Sequence, residues 1–492
     1  MAIRTPEFCS SLPVLDAKGK QSHSIIGTSD SRLRWREEAQ RRTEAEKFLK
    51  NFGQIFDESN DKMSLRRFNS IATLLSLLVT TPPPSATIPR SRNISWIDKM
   101  LLPDKFAPEY FMRHFFHDAD VRQSLTPDRQ ITAKLQVHYM TLAAQNRIAQ
   151  DKVDLARLNA RAYVYNIRNY RPEGWHGPFV LEDGVMQPNW VHLAACQWVI
   201  SANVYQRQRV GHPYPTPPIG AEAAWRGSAP AEAISRKANP SRVTKDGIVD
   251  WAGVEGIWRR IVCFMDYRDF HEYNFHGHRT SGGLDTSVFT HPMFNEATRI
   301  ITMVLRITHS MPGEAPFEHR PRLHFQGVSV ANDTMISAVH GFVCMTPSGY
   351  VRWHLVTRYE NDDRWVTEAV QIGEPGSAAG FIGTWTGNNH EPDDPAGPTW
   401  LWKIADVFQI PKDDALGSLN RNHFGFPEDE DGDEDDEGDE DDEEYDEEMD
   451  EDEDQDDEDE DEGGSMDGSD SEEGGYDEMP SLIHISTLYD LD

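Results

Sequence analysis

Residues 338–373 read AVHGFVCMTPSGYVRWHLVTRYENDDRWVTEAVQIG. Three short runs rich in β-branched and aromatic residues, Ala338–Met345, Val351–Tyr359 and Arg364–Gln371, are separated by Thr346–Gly349 and Glu360–Asp363. The two connectors hold the Pro, Gly, Ser, Asn and Asp residues that reverse a chain tightly, so period two with this turn chemistry predicts antiparallel hairpins. Outward from this stretch, Ile257–Met265, Arg299–Thr308, Arg322–Gly327, Gly380–Thr386 and Trp400–Ile404 repeat the pattern. Eight such runs predict a closed antiparallel barrel or a sandwich, either of which hides sticky strand edges.

Towards the N-terminus the period changes. Phe48, Leu49, Phe52, Ile55 and Phe56 recur on one helical face, and Leu65, Phe68, Ile71, Leu74, Leu75 and Leu78 repeat it after Ser64, a residue suited to capping. Helical periodicity returns from Pro127 to Ile167, with Leu135, Tyr139, Leu142, Leu155, Leu158 and Ala162 as core candidates. A last helix runs from Asn189 through Trp190, Leu193, Ala194, Trp198 and Val199. The fold class is therefore α+β, in five parts: a polar lead-in over 1–30, a helical region over 31–206, and a Pro-rich linker over 207–249. An antiparallel β-barrel-like domain over 250–408 and a tail over 409–492 complete the chain.

The tail explains the net charge of −35. Residues 428–492 hold 38 acids and no Lys or Arg, which leaves 45 acids against 48 bases in the body. Such a segment cannot bury enough apolar surface to offset chain entropy and is expected to be disordered. Its field would repel nucleic acid and attract basic proteins such as histones in a salt-sensitive way. Cys9, Cys196, Cys263 and Cys344 form no C-x-x-C pair, so neither a zinc ribbon nor a disulfide framework is expected. Residues 1–18 contain no apolar run of signal-peptide length, and the longest apolar stretch, 71–79, falls short of the ~20 residues that span a bilayer. An intracellular protein, cytoplasmic or nuclear, with no membrane partner is expected.

Catalytic motifs are scarce. His271, His276 and His278 flank Glu272, but a spacing of five where H-E-x-x-H needs four, with Gly277 beside it, favours a surface histidine cluster over a metal site. Gly373, Gly376 and Gly380 around Ser377 read as a turn, since no Lys-Ser/Thr follows them. No Ser or Cys nucleophile motif occurs, and Asp266, Asp269 and Glu368 read as solvated or strand-end carboxylates. The expectation is a non-enzymatic protein without metal or cofactor. Trp353, Trp365, Trp385, Trp400 and Trp402 crowd the strands, either as barrel core or as a partner-binding patch; Trp400 and Trp402 share one strand face.

Several strings resemble fungal, mainly mushroom-type, F-box domain-containing proteins in their C-terminal region. They are Arg161–Tyr170, Trp175–Phe179, Trp258–Asp266, Leu323–Gly327, Gly349–Trp353, Arg364–Gly373, Gly383–Trp385 and Gly397–Lys403. What this resemblance implies is a substrate receptor of a cullin-RING ubiquitin ligase, binding a Skp-type adaptor and the cullin as well as its protein substrate. The F-box itself is not clearly present. Leu12-Pro13 leads into polar sequence, while Leu102-Pro103, with Phe111 as the accompanying adaptor contact, meets Pro108 within two turns. The alternative reading is an acidic-tailed binder of basic nuclear proteins, akin to a histone chaperone.

Overall fold

Each of the eight β-patterned runs lies on one strand of a closed barrel. In chain order the strands are β1 (Gly256–Met265), β2 (Glu296–Met311), β3 (Arg322–Ala331) and β4 (Met335–Met345), then β5 (Val351–Tyr359), β6 (Asp362–Gln371), β7 (Phe381–Gly387) and β8 (Ala396–Ala405). Every strand pairs antiparallel with the next, and β8 returns to β1 through Thr399↔Val262 and Leu401↔Arg260, so the sheet is an up-and-down barrel and not a sandwich. The computed structural model describes residues 14–15, 21–22, 35–50, 61–79, 93, 95–97, 126–139, 150–211, 214–218, 242–244, 247–276, 284–331, 335–359 and 362–405. The acidic tail and the adaptor-contact candidates Leu102, Pro103 and Phe111 lie outside the described residues.

The ladder register divides the barrel interior into two halves. At the end where β1 starts, Trp258, Phe325, Trp353 and Phe381 fill the lumen, with Trp353 and Phe381 stacked at 4.3 Å and 9°. The Trp353 indole N–H donates to Gln371 Oε1 at 2.9 Å, which satisfies its one donor inside the core. Towards the other end the inward side chains turn polar: Arg260 on β1 reaches Thr399 on β8 and Thr367 on β6, three strands apart, a span possible only through the lumen. Gly397 makes room there, because a Cβ would stand 2.8 Å from the Trp385 indole nitrogen.

The helices cover one outer wall. α3 (Pro127–Tyr139) and α4 (Gln150–Val164) pack on α5 (Trp190–Arg209), while α2 (Asp61–Val79) packs on α3 and α1 (Trp35–Lys50) on α2. All residues of α5 from Trp190 to Val204 are buried, the polar His192, Gln197, Ser201 and Asn203 among them. It lies between α3 and α4 on one side and the outer faces of β1, β7 and β8 on the other, sharing a core with Ile261, Cys263, Ile382, Trp400 and Trp402. Asn189 caps it, accepting the His192 N–H at 3.3 Å, as its place before Trp190 predicts. At the seam, buried Glu296 of β2 accepts from Arg161 Nη2 (2.6 Å) and the Tyr165 hydroxyl (2.7 Å).

Some expectations change. The region 31–206 is not helical throughout, since Phe179–Glu182 and Val185–Pro188 form a hairpin, and two-residue strands Val14–Leu15 and Gln21–Ser22 pair within the lead-in. Another short pair, Arg242–Val243 with Val249–Asp250, falls in the expected linker, and α5 runs three residues past 206. α2 begins at Asp61, ahead of the proposed cap at Ser64. Leu155 is 55% exposed, so it is not core; Val153, Ala156 and Ala160 turn inward instead. Among the described residues no helix is long and apolar enough to cross a membrane.

Candidate functional site: the outer wall around Glu368

The segment after α4 runs from α5, where Tyr170 meets His192 at 5.3 Å, to the outer face of β6. Asn166 accepts the Arg168 N–H at 3.1 Å and starts a single 3-10 turn, Ile167–Asn169; a second, Pro172–Gly174, follows. Trp175 and His176 then take left-handed backbone angles, φ 56° and 52°. Gly177 rests directly on β6, where a Cβ would stand 2.3 Å from the Glu368 Cβ. Only a residue without a side chain fits that approach.

Glu368 is the centre of the wall. Its side chain is 4% exposed, and it accepts from Arg352 Nε (2.8 Å) and Nη2 (2.6 Å) while His354 Nδ1 lies 2.8 Å away. The forked pair satisfies a carboxylate that burial alone would penalise heavily. From there aromatic contacts run outward along β5, β4, β3 and β2. Arg352 lies over Trp175, His354 stacks on Phe342 at 4.7 Å, Arg322 lies 4.7 Å from the Phe342 centroid, and His324 stacks on His309 at 4.4 Å. On the other side His176 and His390 stack at 3.8 Å and 4°. Burial holds the imidazoles of His176, His324 and His390 below their ordinary range, so they are neutral rings at neutral pH.

Of the four non-glycine residues with positive φ among the described residues, three belong here: Trp175, His176 and His390. Strained backbone of this kind persists where surrounding contacts impose it, and it gathers at functional sites. The chemistry on offer is flat rings, a guanidinium face and imidazole nitrogens, which suits binding. The Cys344 thiol of β4, pushed up by burial, stays protonated here and is a poor nucleophile.

The tryptophans nominated from sequence divide differently. Trp353, Trp385, Trp400 and Trp402 are buried and Trp365 is half-buried. Trp400 and Trp402 do share the outer face of β8, but α5 covers them, so they form core and not an exposed patch. Trp385 lies inside, donating its N–H to the Cys263 carbonyl at 3.1 Å, with Trp365 perpendicular to it at 5.2 Å.

The histidine cluster does not keep ordinary helical spacing. Tyr267–His271 is a helical turn, and Glu272–His276 continues it as a π-helix, whose wider turn places residues five apart on one side. His271 and His276 therefore face each other, centroids 4.9 Å apart. Among the described residues no group of three or more His, Cys, Asp or Glu side chains is placed to hold a metal ion. The glycine-rich segment is a turn: Ser377 donates to the Ile372 carbonyl and accepts from Gln371 Nε2 at 2.9 Å. Asp266 caps the short helix, accepting the Arg268 N–H at 2.9 Å, and Asp269 accepts the Asn295 N–H at 3.4 Å. Glu368 is no strand-end residue but a buried mid-strand carboxyl group paired with Arg352.

Sequence reasoning missed Arg352 and His354 as partners of Glu368, and Trp175 as the ring against Arg352. Arg352 and His354 alternate on β5, and pairing His354↔Glu368 across the ladder was the available signal, but it needs the register of two hairpins at once. The chain matches no known family, no curated protein and no solved structure.

Proposed function

We propose that this chain is a binding protein without chemistry of its own, a substrate-receptor-like member of the F-box class serving a cullin-RING ubiquitin ligase, cytoplasmic or nuclear. The observation carrying this reading is the fixed relation of barrel and helices. α5, buried between α3, α4 and the wall of β1, β7 and β8, holds the barrel to the helical layer through one common core. That leaves the outer faces of β3 to β5 on another side, where Gln326 and Ile336 are exposed and His324, His340 and Phe342 half-exposed. A receptor needs this separation, one side for an adaptor and another for the substrate. Several strings of the family resemblance also fall on structural seams: Arg161 and Tyr165 on Glu296, and Trp175 on Arg352.

The test is calorimetric titration of the full chain with purified Skp-type adaptor, followed by cross-linking of the complex. Micromolar affinity with cross-links from the helical layer supports the reading. No binding at high micromolar adaptor, or cross-links confined to β3–β5, removes the ligase role. A second reading rests on the 38 acids of residues 428–492, which favour capture of basic proteins. Titration against core histones at two ionic strengths, with and without those residues, decides it. Tail-dependent binding that falls steeply with salt is the expected outcome for that reading.

A further inference from the structure

The polar half of the barrel lumen holds two arginines that no carboxylate answers. Arg260 is 4% exposed, and its hydrogen bonds are to the hydroxyls of Thr399 (3.0 Å) and Thr367 (2.8 Å). Burial lowers this guanidinium to about 10, which leaves it charged at neutral pH. Arg299 pairs with Val262 in the ladder, on the same inward face as Arg260 and nearer the rim. Its Nη2 is buried with no hydrogen-bond partner among the described residues. Thr357, 4% exposed, faces the same space from β5, and its hydroxyl oxygen also lacks a partner there.

Buried cations are costly unless a counter-charge joins them, and buried hydroxyls are ordinarily hydrogen-bonded. Three incomplete groups on three strands, all turned into one lumen, share one missing complement: an anion with more than one oxygen. Trp385 and half-exposed Trp365 supply a flat apolar side beside them. We propose that this end of the barrel binds a small organic carboxylate, its oxygens taken by Arg260, Arg299 and the Thr357 hydroxyl and its apolar body laid against Trp365 and Trp385. The site is separate from the outer wall around Glu368 and stands whether or not the receptor reading holds.

The probes are benzoate and decanoate, with benzyl alcohol, 1-decanol and sodium chloride at equal ionic strength as controls. Each is titrated into the full-length protein and followed by thermal melting and tryptophan fluorescence. The expected result is a rise in melting temperature and a fluorescence change with at least one carboxylate and with none of the controls. Arg260→Met should weaken that carboxylate by about tenfold or more, as loss of a charge-assisted contact does, and should leave the unliganded protein no less stable. Arg299→Gln, nearer the rim, supplies the second variant should Arg260→Met fail to fold, and it should weaken binding by a similar factor. The proposal is overturned if neither carboxylate acts at tens of millimolar. It is equally overturned if alcohols or chloride act as strongly, or if the carboxylate response survives in every folded variant.

Discussion

The guanidinium of Arg352 lies 3.6 Å from the centre of the Trp175 ring while its nitrogens grip Glu368. One side chain thus ties the left-handed loop after α4 to the β5–β6 ladder, and the loop's strain is held by a contact with a long-range partner. Removing Arg352 should therefore do more than delete a surface charge.

Arg352→Met is expected to destabilise by ~3–5 kcal/mol, because it leaves Glu368 buried without its countercharge. Adding Glu368→Gln should restore part of the loss. Urea denaturation of the two single variants and the double variant gives the coupling. A coupling near zero would mean that the pair is held independently by its surroundings.

Glu296 tests the seam between α4 and the barrel. Burial pushes its carboxyl up, but Arg161, Arg157 and the Tyr165 hydroxyl outweigh that and hold it below its ordinary value of 4.5. The stability it contributes is full above that value and is lost as pH falls through the lowered one. Glu296→Gln should therefore flatten the rise of unfolding free energy with pH below pH 4.5. Denaturant midpoints between pH 3 and pH 5 measure it, and an unchanged slope would count against the ionised seam.

His192 gives a pH effect in a higher window. Burial holds its imidazole down to about 3, in contact with the ring edges of Tyr163 and Tyr170. The folded protein keeps this ring neutral while the unfolded chain takes up a proton below about 6.5, so stability falls as pH drops from there towards 3. His192→Phe should remove about one proton's worth of that slope. His138, likewise held down to about 3, remains in the variant and sets the residual slope.

Two tryptophans on neighbouring strands should behave differently. Trp385→Ala is expected to cost ~3–5 kcal/mol, the range for truncating a buried aromatic, and Trp365→Ala, half-exposed at the rim, less than half as much. Thermal or urea melts of both proteins, compared with the parent, check the order. Equal losses would place Trp365 in the core.

The barrel was legible because alternation and turn chemistry agreed at every hairpin, from Thr346–Gly349 onward. The short hairpin of Phe179–Pro188 was missed although its turn, Asp183-Gly184 with φ 49° and 78°, carries the usual two-residue signal. Four-residue strands between helical stretches are too short for periodicity to register. That His271 and His276 face each other was hidden for a different reason: spacing rules assume 3.6 residues per turn, and the π-turn at 272–276 breaks that assumption. Least legible were the sites. Whether Arg260 points into the lumen or Trp400 points out depends on a register in which a slip of one residue inverts every side chain.

The closure of β8 on β1 also fixes the order in which the chain completes itself. Arg260 and its partner Thr399 are 139 positions apart, so a chain emerging from the ribosome displays α5 and β1 long before the strand that seals them exists. Until Ala396–Ala405 is made, the apolar outer face of β1 and the buried residues of α5 lack Trp400 and Trp402, and the ring has two raw edges. Nascent chains stalled within residues 256–395 should be the protein's most chaperone-dependent form, and a stop codon anywhere before β8 removes the molecule as a whole and not one strand of it.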